Sequence, residues 1–131
     1  MRRSIVVTKG IVLILSHVNW SEVEPGDWEE TRWTIYDDHS VNKIEFYYNV
    51  NHEQEIRYKR TRRIRKGTFK KLIKFIENAM FVNKTVECCD GTVWEFKYYK
   101  NSELVWKRDM GYIDGITELI KIVKIFERYW M

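Results

Sequence analysis

Residues 57–80 read RYKRTRRIRKGTFKKLIKFIENAM, and they change from one kind of pattern to another. The first part is densely basic, since ten Arg and Lys residues and no acid lie between Arg57 and Lys74. From Phe69 onward the apolar residues recur every three or four positions, which is the spacing of an amphipathic helix. The segment therefore predicts a charged strand that leads directly into a helix.

The two faces of the predicted basic strand differ. One face is fully polar and consists of Arg57, Lys59, Thr61, Arg63 and Arg65. The other face begins apolar and consists of Ile56, Tyr58, Arg60, Arg62 and Ile64. Because a strand that is charged on both faces cannot stay in a core, we expect it to leave the sheet near Arg60 and to run through solvent. The helix is then expected to begin at Thr68, a good N-cap residue.

Two amphipathic helices are predicted from apolar spacing. The inner stripe of the first helix consists of Phe69, Leu72, Ile73, Ile76 and Met80, with Lys70, Lys71 and Lys74 off the stripe. The second helix covers residues 116–130 and is capped near Asp114. Its inner stripe consists of Ile116, Leu119, Ile120, Val123 and Phe126, and Ile122, Ile125 and Trp130 widen it. Such a wide stripe indicates burial on more than one side.

A first hairpin is predicted at residues 33–49, WTIYDDHSVNKIEFYYN. Pairing Trp33 and Ile35 with Phe46 and Ile44 places apolar side chains on one face, with the turn at residues 38–41. The following segment, HEQEIRYKR, is expected to return as a further strand. These segments predict an antiparallel arrangement.

A second hairpin is predicted at residues 92–109, and two turns are compatible with it. A two-residue turn at Asn101-Ser102 sets Phe96 opposite Lys107. A three-residue turn that begins at Lys100 sets Phe96 opposite Trp106, Tyr98 opposite Leu104 and Glu95 opposite Lys107. The second register keeps apolar side chains together, so we expect it. Asn101 tolerates the left-handed conformation that such a turn can need.

The order of these elements predicts a single α+β domain over residues 1–131: an antiparallel sheet of β-hairpins with two amphipathic helices on one face. The N-terminal MRRSIVVTKGIVLIL resembles the start of a signal peptide, but Lys9-Gly10 interrupts the apolar run and no small-residue cleavage site follows. We therefore expect a strand or hairpin there and a cytoplasmic protein. Cys88 and Cys89 are the only cysteines, which favours a reducing compartment.

Motifs for catalysis are missing from the sequence, which contains no G-x-S-x-G, P-loop or H-E-x-x-H. Asp37, Asp38 and His39 are ligand-type residues, but Asp is an ordinary turn former, so no metal or other cofactor is expected. A thiol nucleophile at Cys88 or Cys89 would lie beside Asp90, whose carboxylate raises the thiol pKa and suppresses the thiolate. We therefore expect a protein that is not an enzyme.

The basic segment is the candidate site, and it stands out because the chain has 23 basic and 19 acidic residues in total. Outside Arg57–Lys74 the chain is therefore net negative, with five acids concentrated in residues 21–30. The segment could be a solvated edge that opposes aggregation, a nucleic-acid contact in which Tyr58 and Phe69 stack on bases, or a docking surface for an acidic protein. The candidate partner-binding residues are Tyr58, Arg60, Arg62, Arg63, Arg65, Lys66 and Lys70.

Three stretches carry a resemblance to a known class: WTIYDD, CDGTVWEFKYYK and GYIDGITELIKIVKIFERYW. In size, hairpin-helix order and aromatic content the chain resembles the immunity proteins of bacterial toxin systems, including contact-dependent growth inhibition. The resemblance implies a non-catalytic protein that neutralises a toxin by direct binding. Immunity proteins against nuclease toxins are often acidic, so this basic chain points to a toxin with an acidic surface. The alternative is a nucleic-acid-binding module that uses residues 57–74.

Overall fold

The computed structural model describes residues 10–19, 24, 26–79, 92–110 and 117–129. Its strands are β1 (Ile11–Asn19), β2 (Trp28–Tyr36), β3 (Ser40–Tyr48), β4 (Gln54–Arg63), β5 (Thr92–Lys100) and β6 (Glu103–Met110). Its helices are α1 (Lys66–Ala79) and α2 (Thr117–Tyr129). The predicted order of strands, helix, hairpin and helix is confirmed.

The six strands form one antiparallel sheet in the order β4-β3-β2-β1-β5-β6. Three consecutive hairpins carry the chain from β1 outward to β4, and the connection that contains α1 returns it to the far side of β1. Among the described strands, β4 and β6 are therefore the two edges of the sheet. The prediction of a mainly antiparallel α+β fold is confirmed, with the sheet as the larger part.

One face of the sheet contributes to the buried core. Leu13 and Leu15 of β1 lie opposite Ile35 and Trp33 of β2, and Leu15 also lies opposite Phe96 of β5. Residues directly opposite each other in a sheet point to the same face, so these side chains form one apolar layer. The full buried cluster consists of Leu13, Leu15, Trp33, Ile35, Val41, Ile64, Leu72, Ile76, Ala79, Phe96, Tyr98, Trp106, Ile122, Val123 and Phe126. It thus unites this layer with residues of both helices.

The predicted register of the β2–β3 hairpin is wrong. Trp33 lies opposite Lys43 and Ile35 lies opposite Val41, so Ile44 and Phe46 point to the other face. The reason is a tighter turn, in which His39 donates its backbone N–H to the Tyr36 carbonyl. His39 adopts a φ of 72°, the left-handed conformation that commonly closes three-residue hairpin loops.

The expected three-residue turn of the β5–β6 hairpin is also wrong. Lys100 pairs with Glu103 across a two-residue turn, and Asn101 and Ser102 have φ values of 52° and 64°. Two positive φ values are the signature of a type I′ turn, which matches the twist of the strands. A bulge between Tyr98 and Tyr99 then shifts the register and sets Tyr98 opposite Trp106. An irregularity of this kind is not visible in an alternating pattern.

Helix α1 begins at Lys66, two residues before the predicted N-cap Thr68. The chain turns early because Ile64 is buried and donates its backbone N–H to the His39 carbonyl. The predicted stripe is confirmed within the described residues: Leu72 and Ile76 are fully buried, and Phe69 and Ile73 pack against the core. Ala79 is also fully buried, and Met80 lies outside the described residues.

Helix α2 buries Ile122, Val123 and Phe126, and Ile125 packs against the core. The predicted stripe is thus confirmed for Val123 and Phe126, and the predicted widening is confirmed for Ile122 and Ile125. Four predicted positions have side chains outside the described residues: Asp114, Ile116, Leu119 and Trp130. Within the described residues, neither helix is long and apolar enough to cross a membrane.

Candidate binding edge on strand β4

The basic strand does not leave the sheet, contrary to the expectation from its charge. Arg60, Arg62 and Arg63 remain paired with Lys43, Val41 and Ser40 of β3. The strand stays in the sheet because it lies at the edge. Nearly all of its side chains reach solvent there, while its backbone stays hydrogen-bonded to β3. Charge on both faces is incompatible with a central strand and compatible with an edge.

The side chains of β4 alternate between the two faces of the sheet as predicted over residues 58–63. Tyr58, Arg60 and Arg62 lie opposite Glu45, Lys43 and Val41, and they share the face that carries the core. The other face carries Lys59, Thr61 and Arg63, opposite Ile44, Asn42 and Ser40. Both faces of the edge therefore present cationic groups.

Ile56 is placed differently from the sequence prediction, which put it on the face of Tyr58. It lies opposite Phe46 on the other face, because a bulge between Glu45 and Phe46 inserts an extra residue at Arg57. Ile56 is 55% exposed, which is high for a large apolar side chain. The edge thus carries an exposed apolar residue beside its cationic stretch, a feature that regular alternation did not predict.

Tyr58 is half-buried and is held in place by its neighbours on β3. The Lys43 Nζ lies 5.5 Å from the centre of the Tyr58 ring and 5.6 Å from the centre of the Trp33 ring. Lys43 also forms an ion pair with Glu45 at 3.6 Å. These contacts connect Tyr58, the one aromatic residue of the candidate set, to the core residue Trp33 through Lys43.

The cationic surface continues from β4 into the start of α1. Arg65, Lys66 and Lys70 are exposed, and the first turn of the helix contains no acidic residue. Basic charge next to the unsatisfied N–H groups of a helix N-terminus is unfavourable by a few tenths of a kcal/mol or somewhat more per residue. We call the surface formed by residues 58–70 the basic edge.

Two described acidic residues of the 21–30 segment, Glu29 and Glu30, lie near the opposite end of β4 from the basic edge. Glu29 accepts a hydrogen bond from Gln54 at 2.9 Å, and Glu30 accepts two from Arg32 at 2.7 and 3.1 Å. Burial and a hydrogen bond to Glu29 also raise the pKa of Tyr48. Gln54 and Arg60 are six residues apart along an extended strand, or about 20 Å. That distance exceeds the screening length of about 8 Å at physiological salt.

The sequence-predicted candidates are thus gathered on one edge of the sheet. Tyr58, Arg60, Arg62 and Arg63 lie on β4, and Arg65 precedes α1. Lys66 and Lys70 lie in its first two turns. Lys59, Arg60, Arg63, Lys66 and Lys70 form no ion pair within the described part of the chain. Arg57 is different, since it contacts Glu55 at 3.8 Å and lies 4.9 Å from the Tyr47 ring.

The turn that contains Asp37, Asp38 and His39 has a structural explanation. Asp38 Oδ1 accepts hydrogen bonds from the backbone N–H of Ser40 at 2.9 Å and from its hydroxyl at 2.6 Å. The His39 ring stacks on Phe69 at 4.2 Å. Among the described residues no group of three or more His, Cys, Asp or Glu side chains is placed to hold a metal ion. Cys88 and Cys89 lie outside the described residues.

A cavity of about 240 Å³ opens at the end of the sheet that carries the β5–β6 turn. Gly10, Asp37, Ile73, Tyr98 and Lys100 contribute to its lining. Burial, with a smaller contribution from Glu77, raises the pKa of Tyr98. The Asp37 carboxylate and the Lys100 ammonium group line the cavity beside the hydroxyl groups of Tyr98 and Ser102.

A second feature that the sequence analysis missed is an aromatic cluster around His17. The imidazole stacks on Trp94 at 3.9 Å with an interplanar angle of 1°, and it lies 5.0 Å from Trp28. Trp28 donates its indole N–H to the Thr31 hydroxyl at 2.8 Å. Burial lowers the pKa of His17 below its ordinary value of 6.5. This cluster depends on β1 pairing with β5, which no local pattern indicates.

Comparison with protein-family models and with curated proteins found no match to this sequence.

Proposed function

We propose that this chain is a non-catalytic protein-binding module that acts in the cytoplasm as an immunity protein, neutralising a bacterial toxin by direct contact. Its partner is a toxin domain with an acidic surface. One observation carries the proposal: the basic edge presents five exposed cationic side chains that form no ion pair within the described part of the chain, on a strand that is otherwise well paired. The resemblance in size and element order to immunity proteins agrees with it.

The chemistry of the basic edge suits an acidic protein surface. Arg60 and Arg63 are exposed guanidinium groups on opposite faces of β4, and each can hold a carboxylate through two parallel hydrogen bonds. Such exposed charges mainly accelerate association, whereas buried aromatic or apolar anchors hold a complex together. The half-buried Tyr58 and the exposed Ile56 are the anchors available beside them.

The arrangement of the helices supports access to this edge. We propose that α1 and α2 both cover the face of the sheet that carries Leu13, Trp33 and Phe96, since the buried cluster unites these residues with both helices. The core then lies over the central strands, and β4 extends beyond it with its side chains in solvent.

A nucleic acid is the second candidate partner, because the basic edge could also neutralise phosphates. Its support is weaker, since the two aromatic residues proposed to stack on bases have intramolecular contacts. Tyr58 lies under Lys43, and Phe69 stacks on His39. A nucleic-acid contact that involves about five phosphates predicts that log affinity falls with log salt at a slope near −4. A gel shift at about 50 mM salt that weakens with this slope would favour it.

The proposed function is tested by rescue of growth. The C-terminal domain of a large secreted protein encoded directly upstream of this chain is expressed with and without it, and growth is compared. Rescue by the wild-type chain, lost in the variant R60Q/R62Q/R63Q/R65Q, supports neutralisation through the basic edge. The matched control is K100Q/K107Q/K121Q/K124Q, which removes four exposed lysines elsewhere and should still rescue. Unrelated flanking genes together with no rescue would contradict the proposal.

A further inference from the structure

Within the part of the chain that the structure describes, the outer side of β4 is an open sheet edge. The strand has ten residues and pairs with β3 on one side, and the sheet order places no described strand on its other side. Such an edge presents a row of backbone donors and acceptors to any extended chain that lies alongside it. The basic edge therefore offers main-chain hydrogen bonds in addition to charge.

The residues that face the open side can be assigned from one hydrogen bond. Ile64 donates its backbone N–H to His39, which lies on the β3 side of the strand. Backbone N–H and C=O groups alternate in direction along a strand, so residues 58, 60 and 62 also point to β3. Lys59, Thr61 and Arg63 consequently present their N–H and C=O groups to the open side.

The charge pattern of β4 selects the kind of chain that can be added there. Pairing of β4 with β4 of a second copy would set cationic residues against each other, because no acid lies between Arg57 and Lys74. Like charges directly opposite each other destabilise a sheet. An acidic extended segment has the complementary charge, and its side chains alternate with the same spacing as those of β4. Its carboxylates would face Arg60 and Arg62 on one face, and Lys59 and Arg63 on the other.

We infer that the open edge of β4 binds an extended acidic segment of the partner as a seventh strand of the sheet. The inference rests on the proposed function and specifies how the basic edge recognises its partner. The added strand spans Tyr58 to Arg63, since the bulge at Arg57 bends the strand at one end and Ile64 turns the chain toward α1 at the other. Main-chain hydrogen bonds then position the segment, and the cationic side chains select its charge.

The first test follows backbone amides by NMR hydrogen exchange. In the free protein we expect β3 to protect the amides of Arg60, Arg62 and Ile64, and we expect those of Lys59, Thr61 and Arg63 to exchange rapidly. The probe is an acetylated eight-residue peptide in which glutamate alternates with threonine. On its addition the second set becomes protected by about tenfold or more, since the amides enter a ladder. Binding without new protection at these three amides would overturn strand addition.

The second test removes one backbone donor and leaves every charge in place. Thr61→Pro deletes an outward N–H at an edge position where proline is tolerated, and should weaken peptide binding about tenfold or more. Thr61→Val is the control, because it keeps the N–H and removes only the hydroxyl that donates to Asn42 at 2.6 Å. We expect its peptide affinity to stay within about twofold of wild type.

A third measurement leaves the protein unchanged, in case the proline variant fails to fold. The peptide is N-methylated at its two central residues, which removes one donor from each of its edges and should weaken binding about tenfold. Equal binding of both peptides would mean adsorption by charge alone and would overturn strand addition. The proposed function would remain supported if the four-arginine variant still lost rescue of growth. Tighter binding of an eight-nucleotide oligothymidylate than of the peptide would instead favour the nucleic-acid alternative and contradict both.

Discussion

At the scale of single residues, His17 shows how a polar side chain is placed inside an aromatic environment. Its ring stacks on Trp94, and Trp28 covers it from another direction. Burial disfavours the charged imidazolium, so the pKa of His17 is lowered from 6.5. Because the unfolded chain keeps the ordinary pKa, the unfolded state binds more protons in the interval between the two values.

This difference predicts a pH dependence of stability. Well above pH 6.5 the imidazole is neutral in both the folded and the unfolded state, so it adds no pH dependence to the free energy of unfolding. As the pH falls below 6.5 the unfolded state gains a proton first, so the free energy of unfolding decreases until the lower, folded-state pKa is reached. Urea denaturation measured between pH 7.5 and 5.5 should show this decrease.

The matched variant for this prediction is His17→Phe, which keeps a flat ring between the tryptophans and cannot be protonated. Its unfolding free energy should vary less over the same pH interval than that of wild type. The prediction is wrong if wild type and His17→Phe lose the same stability between pH 7.5 and 5.5. In that case other groups would account for the whole slope.

At the scale of the elements, turn residues with positive φ determine how the strands align. His39, His52, Asn101 and Ser102 all adopt this conformation, in which side chains other than glycine are strained. The β5–β6 turn combines two of them in succession. Asn is well suited to the first position of a type I′ turn, and Gly is preferred at the second position, where this chain has Ser102.

Replacing Ser102 with glycine should therefore stabilise the protein. The left-handed conformation costs a serine roughly 1–2 kcal/mol, and glycine avoids this cost. The greater freedom of glycine in the unfolded chain offsets part of the stabilisation. We expect a net increase of about 0.5–1 kcal/mol in the free energy of unfolding, measured with urea. Glu103→Gly is the control, since this neighbouring residue is in the strand and should lose about 0.5–1 kcal/mol. A destabilised Ser102→Gly variant would show that the turn is not strained.

The elements of the fold could be predicted from the sequence, but the strand registers could not. Alternation identifies β2, β3, β5 and β6 because it is a local property of each strand, and the apolar stripe of α1 is local as well. Register depends on turn geometry and on bulges, each of which moves side chains to the other face. The register predictions were wrong at two turns, those of His39 and of Asn101-Ser102, and at the bulges at Arg57 and at Tyr98/Tyr99.

The composition of the candidate site could be read from the sequence, and its position could not. Ten basic residues without an acid are visible in the sequence itself. That they form an edge follows from the sheet order, which requires β1 to pair with β5 about 80 residues further along the chain. The charge pattern alone therefore predicts a segment that leaves the sheet, where the structure has a paired edge strand.

At the scale of the whole molecule, acidic and basic residues lie near opposite ends of β4 and do not neutralise each other. Glu29 and Glu30 interact with Gln54 and Arg32, near the end of the strand away from Arg63. The described acidic residues of that segment therefore contact neither Arg60 nor Arg63. The formal net charge of +4 understates the field near the basic edge, since it averages a positive edge with a negative remainder.

The last prediction concerns this field and the rate of association. The variant R60Q/R62Q/R63Q/R65Q should keep the fold, with a melting temperature within a few degrees of wild type, because Arg60, Arg63 and Arg65 are exposed and Arg62 is only half-buried on an edge strand. Its association with the toxin domain identified by growth rescue should be roughly 10- to 100-fold slower at low salt. The difference should shrink at about 0.5 M salt, where the charges are screened. Stopped-flow mixing across a salt series measures both effects.

The control K100Q/K107Q/K121Q/K124Q has the same net charge and should associate much faster than the arginine variant, because its substitutions lie away from the basic edge. An arginine variant that folds normally and associates at an unchanged, salt-independent rate would mean that the basic edge is only a solvated sheet edge. The interface would then be sought first at the acidic residues 21–30.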